Sequence, residues 1–283
     1  MSSIYNFALI GHQISYSLSA AVFKAIFDVE KIKGKYEVFD IAPPNFHGEF
    51  IQLVKKGIRG LSVTIPYKRM VIQHLHDVDT VARSLDAVNS ISNDAGRLLG
   101  FNTDCYGFSL PLRKQAERLK HGSALIFGCG GAAKAAVYSL FTDYEVRKFT
   151  IVGRTDERLS EFKLSLKQQI PHIDITAVNI KDLQRRPRRR KRYEIIVNCT
   201  PLGGWNYPDE TPMPDSFEWS QGRIYYDVNY NADNKIVLEA VQAGLTAIDG
   251  SAMLVGQAIR SFAIWTGDSV PFEPVYQRVF GKG

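Results

Sequence analysis

Three stretches of this sequence bring together residue types able to do chemistry. "SVTIPYKRM" (62–70) runs through Val63 and Ile65, meets Pro66, and then offers the ammonium of Lys68. "GFNTDCYG" (100–107) offers the carboxylate of Asp104 just past an apolar run. "ALIFGCGGAAKAAVYSL" (124–140) sets Gly128, Cys129, Gly130, Gly131, Ala132 and Ala133 between an apolar run and an alanine-rich one. An ammonium and a carboxylate held together can pass a proton to or from a substrate oxygen. The third stretch fits G-x-G-x-x-G/A, with Gly128, Gly130 and Ala133 in the three places. The first glycine makes a tight turn, the second lets the backbone approach a pyrophosphate, and the small third residue allows close helix packing. The free N–H groups at the helix start then favour the anion.

The strand that follows bears on which dinucleotide. "FTIVGRTDER" (149–158) is expected to end near Val152. An NAD enzyme usually has an acid at that strand end, for the ribose 2′-OH. Here Gly153, Arg154 and Thr155 come first, then Arg158, while Asp156 and Glu157 fall past the strand end. Guanidinium groups donate in a planar fork that suits a 2′-phosphate. The expectation is NADP; the plainer alternative is two surface arginines on a helix start.

Elements must position these groups. "YNFALI" (5–10), "YEVFDI" (36–41) and "GLSVTI" (60–65) read as strands, and "SAAVFKAIFDV" (19–29) and "EFIQLVKKG" (49–57) as helices. "VNSIS" and "RLLGF" flank the polar turn "NDAG", so 88–101 reads as a hairpin. A second alternating series runs from "SALIFGCGG" to about "LTAIDG", and "SAMLVGQAIRSFAIWTG" reads as a closing helix. Alternation of this kind predicts an α/β protein with mostly parallel sheets. Two α/β domains are expected, dividing near residue 105: an N-terminal substrate domain and a Rossmann-type dinucleotide-binding domain.

In open parallel sheets ligands bind beyond the carboxyl ends of strands. Lys68 follows strand 60–65, "NTD" (102–104) follows 97–101, and Ser17 and Ser19 follow 5–10. The hairpin returns Asn89 beside the end of its partner arm. If these strands share a sheet, four polar clusters meet on one rim. Taken alone, Lys68 reads as a solvated lysine at a helix start, and Asp104 as an N-cap ahead of "CYGFSLPL". Their joint placement is what makes catalysis competitive.

Length and composition narrow the class. A chain of 283 residues, 45% hydrophobic, is long enough for two domains. "MSSIYNFALIGHQ" lacks the basic start of a signal peptide. No apolar run approaches the roughly 20 residues of a membrane span. Cys105, Cys129 and Cys199 are few and far apart, which suits a reducing cytoplasm and neither a disulfide framework nor a metal site. Seven positive charges of the net +6 belong to "RRPRRRKR" (185–192), so the rest of the chain carries a net −1. That run lies between two strand-like segments, without interleaved aromatics, and reads as a solvated loop rather than a nucleic-acid contact.

Along nearly its whole length the sequence resembles the shikimate dehydrogenase family. "GHQISYSLSAAVF" (11–23) is similar to the family's G-x-P-I-x-H-S-x-S-P opening, and "SVTIPYK" to N-V-T-x-P-x-K. "DAVNSI" and "GRLLGFNTDCYG" are similar to A-V-N-T and G-x-N-T-D-x-x-G; "GCGGAAKA", "GRTDER", "NCTPLGG", "YYDVNY" and "DGSAMLVGQA" follow in order. The resemblance implies that Lys68 and Asp104 form an acid/base dyad. It implies that Ser17, Ser19, Thr64, Asn89, Asp104, Tyr230 and Gln257 surround the substrate, with serine hydroxyls on its carboxylate. It implies that Gly128 to Ala133, Arg154, Thr155 and Arg158 bind NADP, with Val228 and Gly250 near the nicotinamide, and that no metal is used. The implied reaction is reversible NADPH-dependent reduction of 3-dehydroshikimate to shikimate, in chorismate and aromatic amino acid biosynthesis, by a monomer or homodimer. The closing helices would return to the first domain, giving 1–105 with 250–283, and 106–249 for NADP. Gln13, Tyr16, Ala20, Ser62, Gly153, Ala232 and Lys235 depart from the family's motifs. Because Tyr16 and Ser62 border the expected pocket, quinate or an aminoshikimate stays open as substrate, as does an NADP-binding regulator without turnover.

Overall fold

The structure, a computed structural model, describes residues 5–185, 192–231 and 233–281. The chain forms two compact units, Met1–Gly107 with Leu254–Gly283, and Phe108–Met253.

The first unit contains β1 (Tyr5–Gly11), α1 (Ser19–Glu30), β2 (Gly34–Asp40), α2 (Phe46–Lys55), β3 (Gly60–Val63), β4 (Asp77–Val78), α3 (Thr80–Leu85), β5 (Ser90–Asp94) and β6 (Arg97–Phe101), with α4 (Asp104–Ser109) beginning in it. Its sheet runs β2-β1-β3-β5-β6-β4. β1 pairs in parallel with β2 and β3, and β4 with β6; the β5–β6 hairpin supplies the antiparallel pairings. Alternate side chains enter opposite faces. Ala8, Ile10, Leu61, Val63 and Ile91 share a core with Phe46, Phe50 and Leu53 of α2. On the other face Phe7 meets Phe23 and Trp265, with ring centroids 6.0 and 4.8 Å away. Gly60 makes room for the indole, since a Cβ there would lie 2.1 Å from the Trp265 ring.

β3 stops at Val63 rather than at the expected Ile65. The cause is local. The Tyr67 N–H donates to the Thr64 carbonyl and closes a turn. The Tyr67 ring is buried, stacks on Phe46 at 4.1 Å, and its hydroxyl donates to the Ile41 carbonyl over 2.5 Å. Lys68 therefore sits in a turn, and the apolar run after it forms a 3-10 turn, Met70–His74, rather than an α-helix. The helix expected over 49–57 begins earlier, at Phe46, because Phe46 and Phe50 place one apolar stripe on the sheet.

The second unit holds α5 (Ala116–Leu119), β7 (Ser123–Phe127), α6 (Gly131–Thr142), β8 (Lys148–Gly153), α7 (Asp156–Gln169), β9 (Asp174–Asn179), α8 (Ile180–Arg185), β10 (Ile195–Asn198), β11 (Ile224–Asp227), α9 (Lys235–Gln242) and β12 (Thr246–Ile248). Its sheet is all parallel, ordered β12-β11-β10-β7-β8-β9. This is the doubly wound Rossmann arrangement. The chain direction across the sheet reverses between β7 and β10, the place where such sheets bind ligands. Apolar residues fill both faces of the central strands, as a sheet covered on both sides requires. The closing helices are α10 (Ser251–Thr266) and α11 (Phe272–Phe280). Of the basic run, Arg185 ends α8 and Arg192 is exposed ahead of β10; 186–191 lie outside the described residues. Among the described residues no helix is long and apolar enough to cross a membrane.

Candidate active site

Lys68 and Asp104 meet. Lys68 Nζ donates to Asp104 Oδ2 over 2.6 Å, with the two side chains 24% and 10% exposed. Asp104 occupies the first turn of α4, not its cap; the Asn102 side chain accepts its N–H instead. The lysine backbone is fixed as well, because its carbonyl accepts from Val88 N–H at 2.8 Å. Asn89 joins the pair: its Nδ2 lies 2.8 Å from Asp104 Oδ1, 3.0 Å from Thr103 Oγ1 and 3.4 Å from Gln257 Oε1. Its Oδ1 accepts the Thr103 N–H at 2.7 Å. The hairpin register sets Asn89 here, since its own N–H donates to Phe101 O and its carbonyl accepts from Val63 N–H. Both oxygens of the carboxylate thus take charge-assisted or amide donors, which are short and strong when one partner is ionised.

The serines lie in the loop after β1. Ser17 Oγ donates to Ser19 Oγ over 3.1 Å and accepts from the Ser19 N–H. Ser19 is buried at the start of α1. Thr64 is half-buried, and its methyl packs where a Cβ on Gly11 would fall. The Tyr36 hydroxyl is a group the sequence reading missed. It is buried beside Ser62 and Ser19 without a well-formed bond to either, and burial pushes it well above the ordinary tyrosine value. Its place in the alternation of its strand is that of any core tyrosine, so no signal in the sequence marks it.

In the second unit the glycine turn is open. Gly128 has φ +107, a conformation suited to glycine. A Cβ added to Gly130 or Gly131 would meet no atom within 4 Å, so there is room for a ligand to approach the backbone at the start of α6. The N-cap, Gly130, brings no side chain to the first N–H groups of the helix. Arg158 and Arg154 lie close enough to the turn to oppose, by their charge, the upward push of burial on the Cys129 thiol. Asp156 is turned to Asn179, whose Nδ2 donates to it at 2.9 Å. The residues present fit a phosphorylated dinucleotide: an open glycine turn at a helix start and two guanidinium groups near it, with Asp156 engaged by Asn179.

Val228 and Tyr230 follow β11, and Gly250 follows β12. The Gly250 N–H donates to Asn229 O, and a Cβ on Gly250 would lie 2.1 Å from Val228 O, so only glycine fits this approach. The anchor below is Asp227, fully buried. Its carboxylate accepts from Tyr225 Oη (2.7 Å), Asn198 Nδ2 (3.1 Å), Asn229 N (3.0 Å) and Asn229 Nδ2 (2.7 Å). Burial pushes its pKa up, and these donors pull it down. Its members fall in two of the motifs quoted from the sequence, Asn198 in "NCTPLGG" and Tyr225, Asp227 and Asn229 in "YYDVNY"; what the sequence leaves unmarked is that strand register sets Asn198 beside Asp227. Among the described residues no group of three or more His, Cys, Asp or Glu side chains could hold a metal ion.

Comparison with known proteins is consistent along the chain. Residues 9–91 match the family model described as the shikimate dehydrogenase substrate binding domain, and residues 250–280 match the shikimate 5'-dehydrogenase C-terminal domain. The chain is 34% identical over 281 residues to the shikimate dehydrogenase (NADP(+)) of Chlorobaculum tepidum, covering 96% of this chain and 94% of that one. It is 32% identical over 273 residues to the enzyme of the same name from Methanopyrus kandleri, covering 96% and 93%. Among solved structures, shikimate 5-dehydrogenase from Thermus thermophilus, in complex with NADP(H) and shikimate, aligns with a TM-score of 0.80 at 27% identity, covering 97% of this chain and 98% of that one.

Proposed function

The chain belongs to the shikimate dehydrogenase family, and from that premise we propose that it catalyses the reversible, NADPH-dependent reduction of 3-dehydroshikimate to shikimate. Shikimate leads on to chorismate and the aromatic amino acids. The observation that carries the mechanism is the Lys68–Asp104 pair, held at 2.6 Å with Asn89 on the second carboxylate oxygen.

NADPH, when bound, supplies the hydride that adds to the carbonyl carbon. In that direction the Lys68 ammonium gives a proton to the carbonyl oxygen; in oxidation the lysine takes the hydroxyl proton. Asp104 orients the ammonium, and Asn89 fixes Asp104. Ser17 and Ser19 donate hydroxyls to the substrate carboxylate, and Thr64, Tyr230 and Gln257 complete its surroundings. Gly128 to Ala133 cradle the pyrophosphate, Arg154, Thr155 and Arg158 take the 2′-phosphate, and Val228 and Gly250 border the nicotinamide. Residues 1–105 with 250–283 act as the substrate domain and 106–249 as the NADP domain. The protein works in the cytoplasm as a monomer or homodimer.

The test is the absorbance change at the reduced-nicotinamide band with NADP or NAD, first with shikimate and then with quinate. Turnover of shikimate with NADP supports the reading. Turnover of quinate alone would move the specificity to a related ring acid, and no turnover of either would leave a cofactor-binding protein.

A further inference from the structure

The loop that carries Ser17 and Ser19 is tied down at its start by one carboxylate. Asp40, the last residue of β2, accepts the N–H of Gln13 at 2.9 Å through Oδ1 and the N–H of Ile14 at 3.2 Å through Oδ2. His12 Nδ1 lies 3.3 Å from the same Oδ1. Register puts Asp40 there, because β1 and β2 pair Gly11 with Asp40. The Asp40 carboxyl is held below the usual carboxylate range, chiefly by the Gln13 N–H.

Gln13 adopts φ +56 at this point, which lets its N–H and that of Ile14 point to the one carboxylate. The consequence runs down the loop. Ile14 is buried, and its carbonyl accepts the Ser17 N–H at 3.0 Å, closing the turn that aims Ser17. Ser17 then bonds Ser19. The motif this loop resembles has proline at position 13. Proline has no N–H and is fixed near φ −65°, so neither the bond to Asp40 nor the observed backbone is open to it.

We propose that Asp40 and Gln13 form a latch that positions Ser17 and Ser19 for the substrate carboxylate, Asp40 acting as a positioning residue and Gln13 supplying the donor that a proline would lack. The inference rests on the proposed role of the two serines. Restoring the family's proline would then damage the site rather than repair it, and glycine, which keeps the N–H and tolerates positive φ, would leave it intact.

The experiment is steady-state kinetics with shikimate and NADP on Asp40→Ala, Gln13→Pro, Gln13→Gly and the double variant Ser17→Ala/Ser19→Ala, with thermal melts alongside. Asp40→Ala and Gln13→Pro should raise KM for shikimate roughly 5- to 50-fold while kcat and KM for NADP stay near the parent, the pattern of lost ground-state binding. Gln13→Gly should match the parent. In the double-serine background Asp40→Ala should add almost nothing, because the latch acts through those hydroxyls. Asp40→Ala with the parent's KM would overturn the latch, and so would an undiminished Asp40→Ala effect in the double-serine background. A double-serine variant with the parent's KM would instead overturn the serine role. Gln13→Pro is informative if folded; Asp40→Ala, at an exposed strand end, keeps the test available if it is not.

Discussion

The amide of Asn89 donates to Oδ1 of Asp104 over 2.8 Å, while Lys68 holds Oδ2 of the same carboxylate. Three side chains from three separate segments thus share one orientation. Asn89→Ala would leave Oδ1 without this donor and let the carboxylate turn away from the lysine. Turnover should fall roughly 10- to 100-fold, less than on removing the lysine itself. Single-turnover measurements with NADP bound check it, and a parental rate would mean that Asn89 only packs the hairpin.

The proposed 2′-phosphate site, Arg154 and Arg158 near the glycine turn, carries a prediction about cofactor choice. The unmodified protein should use NADP in preference to NAD. Arg154→Asp should narrow or reverse the preference, because it sets a carboxylate against the 2′-phosphate. The ratio of kcat/KM for the two cofactors measures this directly, and equal use by the unmodified protein would sink the reading.

His74 makes stability depend on pH. Its ring lies 4.9 Å from His47, 5.2 Å from Phe50 and 5.9 Å from Phe46, and its Nε2 is buried without a partner. Burial first, and the His47 charge second, lower its pKa from 6.5. The unfolded chain therefore binds the proton more readily than the folded one. The stability that rests on the neutral ring is full above about pH 6.5 and is lost as pH falls from there through the lower pKa of the folded state. Melting temperatures at about pH 7.5 and 5.5 should differ less in His74→Leu than in the parent. An unchanged difference would assign the effect to other groups.

Asp227 should matter for stability more than any exposed ion pair. Asp227→Ala would strand the Tyr225 hydroxyl and the Asn229 backbone N–H in a buried place, at a cost of about 2–4 kcal/mol, while the Asn198 and Asn229 side-chain amides keep the Leu202 and Thr200 carbonyls. Asp227→Asn, which keeps an acceptor, should cost less. Denaturant unfolding of the two variants tests the order; equal losses would show that charge, not hydrogen bonding, is what the network needs.

Much of the fold is legible in the sequence, and the reason is periodicity. Residues 19–29 carry Val22, Phe23, Ile26 and Phe27 on one stripe, and the apolar runs at 5–10 and 123–127 are too short for helices. The turn "NDAG" marks the hairpin by its chemistry. The end of β3 is harder to see. It depends on Tyr67 leaving the strand to reach Phe46 and Ile41, which belong to earlier segments of the chain. The Asp40 latch is hidden for a similar reason: only strand register brings Asp40 to Gln13. The members of the Asp227 network lie in two motifs visible in the sequence, but that those motifs bond to each other follows only from the pairing of Asn198 with Asp227 across neighbouring strands.

The most direct test of the account is the turnover of Lys68→Ala and Lys68→Met with shikimate and NADP, set beside NADP affinity. Lys68 stands in the first unit and the glycine turn in the second, so cofactor binding should stay near the parent. Turnover should fall by about 10² to 10⁴-fold in both variants, as expected when a general acid–base group is removed; the methionine variant controls for lost packing. A folded Lys68→Ala protein that binds NADP and turns over within a few-fold of the parent would contradict the account and return Lys68 to a solvated residue in a turn.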